Sequence, residues 1–176
     1  MKTEHTYKSL PSQMTRVQFL NCFGSVYESS PWIAETAWDL GQIDSKALDS
    51  AEKLSSIFSQ IVNKASDEKK LALLNAHPDL AGKLAIAGKL TADSSKEQAG
   101  ADLQNCTKEE FEQFQKLNTN YKEKFGFPFI LAVQGYQRSE ILKIFEKRIK
   151  NSIEEEYKVA LAQVNRIALL RLGRIE

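Results

Sequence analysis

Apolar positions recur at three- and four-residue steps along most of this chain, the spacing of amphipathic helices. The clearest stripe is Leu48, Ala51, Leu54, Ile57, Phe58 and Ile61. It predicts a long helix starting at Asp44 or Ser45. Before it, Thr15 is placed to cap a short helix carrying Val17, Phe19, Leu20 and Phe23. Ser30-Pro31 opens another, with Ser30 at the cap, Pro31 in the first turn and Gly41 at the end. Ser66 starts a fourth, with Asp67 and Glu68 where the helix dipole favours carboxylates. Further on, Asp93 or Ser94 reads as a cap. Thr107 with Glu110, and Ser152 with Glu155, have capping-box spacing. They open helices bearing Phe111, Phe114, Leu117 and Tyr121, and Tyr157, Ala160, Leu161, Val164, Ile167, Ala168 and Leu170. Residues 138 to 150 supply one more, with Ile141, Leu142, Ile144, Phe145 and Ile149 inward.

One stretch breaks the pattern. FGFPFILAV, Phe125 to Val133, is apolar, short and interrupted by Gly126 and Pro128, which predicts an extended buried segment closed by Gly135. The expected fold is therefore all-α. It is a single-domain bundle of about eight helices over residues 1–176, with one extended apolar segment near 126–133 and residues 1–13 loosely held.

Composition narrows the function. Apolar residues make up 42% and charged residues 27% of the 176, with a net charge of +1. That balance points to neither nucleic acid nor an anionic membrane. No run approaches the roughly 18 apolar residues of a spanning helix, and no secretory leader is evident. The cytoplasm is the expected compartment. Cys22 and Cys106 read as two buried thiols in a reduced setting, not as a disulfide framework. The two histidines, His5 and His77, lie too far apart in sequence for a local metal pair, and no metal is expected.

Candidate chemistry concentrates in Asn75 to Gln98, NAHPDLAGKLAIAGKLTADSSKEQ. Proline disfavours helix at the residue before it, so His77 is expected at a helix end. Carbonyls there favour a protonated imidazole, which suits a general acid. Ser94, Glu97 and Gln98 fall at i, i+3 and i+4 and share a helix face. The plainer readings stand beside these: a lone His-Pro usually just ends a helix, and Ser-x-x-Glu is usually a cap. Arg171 is more often a surface cation, though it could reach a substrate carboxylate or carbonyl.

Four blocks in order carry a resemblance: NAHPDLAG at 75–82, SSKEQAGADL at 94–103, NTNYKEKFGFPFILAV at 118–133 and ALLRL at 168–172. Together they resemble the 2-oxo-4-hydroxy-4-carboxy-5-ureidoimidazoline (OHCU) decarboxylase family, which acts last on the route from urate to allantoin. The resemblance implies an all-helical, commonly homodimeric carboxy-lyase working on a small-molecule ureide with no cofactor and no metal, and yielding S-allantoin. It implies that His77 and Glu97 are catalytic. It places Pro78, Ser94, Ser95, Lys96, Gln98 and the backbone of Phe129, Ile130, Leu131, Ala132 and Val133 against the ligand. The late arginine of the family matches Arg171, with Arg166 the alternative. Two other readings are a helical ureide-binding or interaction module without turnover, and a ureide hydrolase using Glu97 as base for water.

Overall fold

A computed structural model describes residue 7 and residues 9–43, 46, 49–82 and 90–175. The described residues form eight α-helices, two short 3-10 turns and no strand. The helices are α1 (Arg16–Phe23), α2 (Trp32–Asp39), α3 (Ala51–Lys64), α4 (Asp67–Asn75), α5 (Ala92–Gly100), α6 (Lys108–Phe125), α7 (Arg138–Arg148) and α8 (Ile153–Leu172). The chain is all-α, as its periodicity predicts. Contacts group it into two compact units, residues 1–76 with 164–176, and residues 77–163. The two halves of α8 therefore belong to different units.

In the first unit, Thr15 caps α1 through a reciprocal box with Gln18. Ser50 caps α3 and Ser66 caps α4. The start expected at Asp44 or Ser45, and Leu48 with it, lies outside the described residues; the described helix begins at Ala51. Leu54, Phe58, Ile61 and Val62 of α3 are buried, the i, i+4, i+7, i+8 face that its stripe demands. Phe58 meets Phe19 and Tyr27 edge-on, with centroids 6.4 and 6.1 Å apart. Tyr27 donates its hydroxyl to Asn165, 2.8 Å away, so the ring is buried and its polar end is satisfied. Tyr7 is buried against Phe23, and Ser12 donates twice to Asp49. Pro31, not Ser30, immediately precedes α2; its backbone is already helical (φ −62°, ψ −21°). Cys22 is exposed and free, not buried as expected, because α1 turns Phe19 and Phe23 inward and leaves Cys22 outside.

In the second unit, α6 opens on the predicted Thr107–Glu110 capping box. Phe114, Tyr121 and Phe125 form its buried stripe. Tyr121 sits at the centre of the aromatic core, with the rings of Phe125, Phe127, Phe129 and Phe145 between 4.5 and 5.9 Å away. Such a ring cannot leave its hydroxyl bare, and Tyr121 donates to Glu156. Arg138 at the start of α7 pairs with Asp102 and Glu110 and donates to the Asn105 carbonyl, tying α7 to the 3-10 turn Leu103–Asn105.

The segment 126–133 corrects one expectation. Beyond the exposed Gly126 it is buried and apolar, but it is irregular and not an extended strand-like stretch. Gly126, left-handed at φ 79°, ends α6 by donating to the Lys122 carbonyl. No strand among the described residues lies alongside to pair with it. Side chains hold it at two backbone groups instead, the Ile130 carbonyl and the Ala132 N–H.

Candidate active site

His77 stands two positions after the end of α4, as the His-Pro step requires. It is buried, and so are Leu80, Ala81 and Gly82, while Pro78 and Asp79 are partly exposed. The turn is tight. Ala81 adopts the left-handed region (φ 48°), and a Cβ on residue 82 would come within 2.8 Å of the Asp79 Cβ. Only glycine fits there without movement.

A turn of this kind leaves its peptide groups without helical partners. Side chains of α5 and α6 supply them. Gln98 Oε1 accepts from the Ala81 N–H at 3.0 Å, and Gln98 Nε2 donates to the Asp79 carbonyl at 3.2 Å. Gln115 donates to the Ala81 carbonyl and Asn118 to the Leu80 carbonyl, both at 3.0 Å. Lys122 pairs with Asp79 at 2.7 Å. Three side chains from two helices thus fix the backbone that follows His77, and a fourth, Lys122, holds the Asp79 carboxylate.

The helix α5 begins after Thr91, whose hydroxyl accepts from the Ser94 N–H, so the cap lies earlier than Asp93 or Ser94. Ser94 is consequently inside the helix, on the same face as Glu97 and Gln98. Ser94 and Gln98 are buried, Ser95 and Glu97 half-buried, and Lys96 exposed. Gln98 joins this face to the His77 turn.

The irregular segment 129–133 lies in the same unit. Arg148 Nη1 donates to the Ile130 carbonyl at 2.7 Å, and Gln163 accepts from the Ala132 N–H at 3.0 Å. The guanidinium also sits over the Phe129 ring, 4.5 Å from its centroid. Its Nε and Nη2 both donate to Glu156 Oε1, at 2.9 and 2.5 Å. Glu156 has no solvent exposure and accepts further from Tyr121 and from Asn151. Burial, and the bond to Glu156, push the Tyr121 hydroxyl far above its ordinary value, so it remains a proton donor at any working pH.

Arg171 belongs to the other unit. It is buried there in an ion pair with Glu28 at 3.0 Å, whereas Arg166 is exposed. His5 lies outside the described residues. Among the described residues no cluster of three or more His, Cys, Asp or Glu could hold a metal ion.

Residues 12–173 match the sequence model of the OHCU decarboxylases. The chain belongs to that family. It is 40% identical over 155 residues to the 2-oxo-4-hydroxy-4-carboxy-5-ureidoimidazoline decarboxylase of Haloferax volcanii, covering 88% of this chain and 87% of the relative. It is 38% identical over 164 residues to the protein of the same name from Halalkalicoccus jeotgali, covering 93% and 88%. Among solved structures it resembles a crystal structure of (S)-allantoin synthase, with a TM-score of 0.72 and 32% identity. That match covers 92% of this chain and half of the other.

Within this member of the OHCU decarboxylase family, the second unit brings the His77 turn, the α5 face and the 129–133 segment into one body. Four residues that position them escaped the sequence reading: Gln115, Asn118, Arg148 and Gln163. Each is a single polar residue on an amphipathic helix, and nothing local distinguishes it from a solvated one. Asn118 alone stands at the head of a family-like block, NTNYKEKFGFPFILAV, the one feature of the sequence that marks it.

Proposed function

We infer that the chain is a carboxy-lyase that converts 2-oxo-4-hydroxy-4-carboxy-5-ureidoimidazoline to S-allantoin in urate degradation. Family membership over nearly the whole chain carries this reading. The site that performs it is assigned here to His77, Glu97, the remainder of the α5 face and the 129–133 backbone.

In that assignment the chemistry follows from the substrate. The bond to the carboxylate breaks, carbon dioxide leaves, and the electron pair flows into the adjoining ring imine. The former imine carbon then takes a proton on one face, while the carbinol hydroxyl passes its proton to the ring nitrogen and becomes the ring carbonyl. Catalysis needs a fixed substrate, stabilisation of the developing charge and one directed proton. His77, held at the start of a clamped turn, supplies the proton. Glu97 orients the imidazole or a ring N–H. Ser94 offers a hydroxyl to the ureide. Gln98 has a second amide hydrogen beyond the one given to Asp79, and it can serve the ligand while the first keeps the turn. Pro78, Ser95 and the exposed Lys96 line the approach.

The decisive measurement is circular dichroism of freshly generated substrate. With the protein, a fast one-handed S-allantoin signal is expected; the unaided reaction gives racemate. His77→Asn should lose nearly all stereospecific turnover, at least about a hundredfold, with an unchanged helical spectrum. An unaltered rate in that variant overturns the role of His77, and a slow racemic product with the native protein overturns the decarboxylase.

Three further points complete the reading. The reaction runs without an added cofactor or metal, so dialysis against a chelator should leave the rate unchanged. The protein acts as a homodimer in the cytoplasm, for which light scattering across a concentration series is the test of assembly. No described helix is long and apolar enough to cross a membrane.

A further inference from the structure

We propose that Arg148 is a positioning residue: anchored by Glu156, it takes the Ile130 carbonyl and thereby fixes which backbone groups of the 129–133 segment meet the substrate. The inference rests on the assignment of that segment to the substrate made above.

An irregular buried segment must have each N–H and carbonyl either held by a partner or open to a ligand. Here three groups are held. Arg148 holds the Ile130 carbonyl, Gln163 holds the Ala132 N–H, and the Tyr136 N–H holds the Val133 carbonyl at 3.0 Å. The other backbone groups of 129–133 have no hydrogen-bond partner among the described residues, and two of them, the N–H and carbonyl of Leu131, belong to the peptide planes whose other ends Arg148 and Gln163 hold. Leu131 thus offers a donor and an acceptor side by side on two held peptide planes. A ureide edge presents the matching acceptor and donor, so recognition needs no side chain from Leu131 itself.

The anchoring group is suited to this task. A guanidinium is planar, with five donors in a rigid fork. Two of its nitrogens are taken by Glu156, one donates to Ile130, and its face lies on Phe129. Glu156 is itself held by Tyr121 and Asn151, so the fork cannot swing. A buried ion pair is a poor device for stability alone, since apolar packing of equal volume commonly does as well. What it supplies here is direction. A lysine in its place keeps the charge but loses the fork and the stacked face.

The test is steady-state kinetics on freshly generated substrate with native protein, Arg148→Lys and Gln163→Met, followed by circular dichroism. Gln163 is only partly buried, so its variant keeps the fold even if Arg148→Lys does not. Both variants should raise KM about tenfold, the worth of one well-made hydrogen bond lost. The turnover number and the S-handed product should change far less, because binding and not the proton transfer is affected. For Gln163→Met the melting temperature should stay near the native value. A native-like KM in Gln163→Met overturns the inference, whatever happens to its melting temperature. So does an Arg148→Lys protein that folds and binds normally. If the native protein itself gives no one-handed product, the decarboxylase reading falls and the inference falls with it; active native protein with unmoved variants removes the inference alone.

Discussion

Asn118 reaches the Leu80 carbonyl from a position with almost no solvent access. Its own Oδ1 has no hydrogen-bond partner among the described residues, so the residue is kept at some energetic cost for the one bond it donates. Asn118→Leu keeps its branched outline but leaves the Leu80 carbonyl without a donor in a buried turn. It should destabilise the protein by about 1–3 kcal/mol, the desolvation cost of such a group, read as a lower urea midpoint with an unchanged slope. A midpoint equal to the native one would show that the turn finds another donor. At this scale the sequence was half legible. His77, Ser94, Glu97 and Gln98 were found because titratable and hydrogen-bonding residues crowd into one stretch. The work of Gln98 was not: nothing in Ser-x-x-Glu-Gln says that its amide spans the Asp79 carbonyl and the Ala81 N–H. That pairing exists only once a turn seventeen residues earlier has folded against the helix.

Helices announce themselves through caps and stripes, and α1, α4, α6 and α8 carry both, while α3 carries its stripe and a cap at Ser50 that was not foreseen. The 3.6 period and the capping hydroxyls are local, so they survive in the sequence. The start of α5 was misplaced because Thr91, Asp93 and Ser94 are all good caps within four residues. Only the backbone settles which one turns extended. The 126–133 segment failed for another reason. Apolar content predicts burial, and burial it has, but an extended shape needs a neighbour to pair with. Here Arg148 and Gln163 take that place, from positions 15 and more residues later. The same network governs the stability of α7 and the first half of α8. Glu156→Leu leaves the Arg148 guanidinium buried without its carboxylate. The loss should be about 3–5 kcal/mol, large enough to see as a drop in melting temperature. The double variant Arg148→Met with Glu156→Leu should recover much of it, since the unpaired charge is then gone. Failure of the double variant to recover would mean that the bonds to Ile130 and Tyr121 carry the stability instead.

For the whole molecule, composition and periodicity were enough for an all-α chain, and four blocks in order were enough for the family. The division into two units was beyond reach. It is set by contacts that join residues 1–76 to the last thirteen, and no local pattern encodes a closure of that length. The placement of Arg171 beside Glu28 has the same origin, with 143 positions between the partners. Long-range closure of this kind also separates two sorts of opening in solution. The Ala81 amide is bonded to a side chain, while amides such as that of Phe114 lie inside a helix ladder. In deuterated buffer the first should exchange whenever the Gln98 clamp lets go, and the second only when α6 itself unwinds. Ala81 should therefore label earlier, and in Gln98→Leu earlier still, with Phe114 keeping much of its protection. Equal rates at the two sites would mean that the turn opens only with the helices. One peptide proton in the turn after His77 is thus a clock for the loosening of that turn, ticking independently of the stability of the protein that carries it.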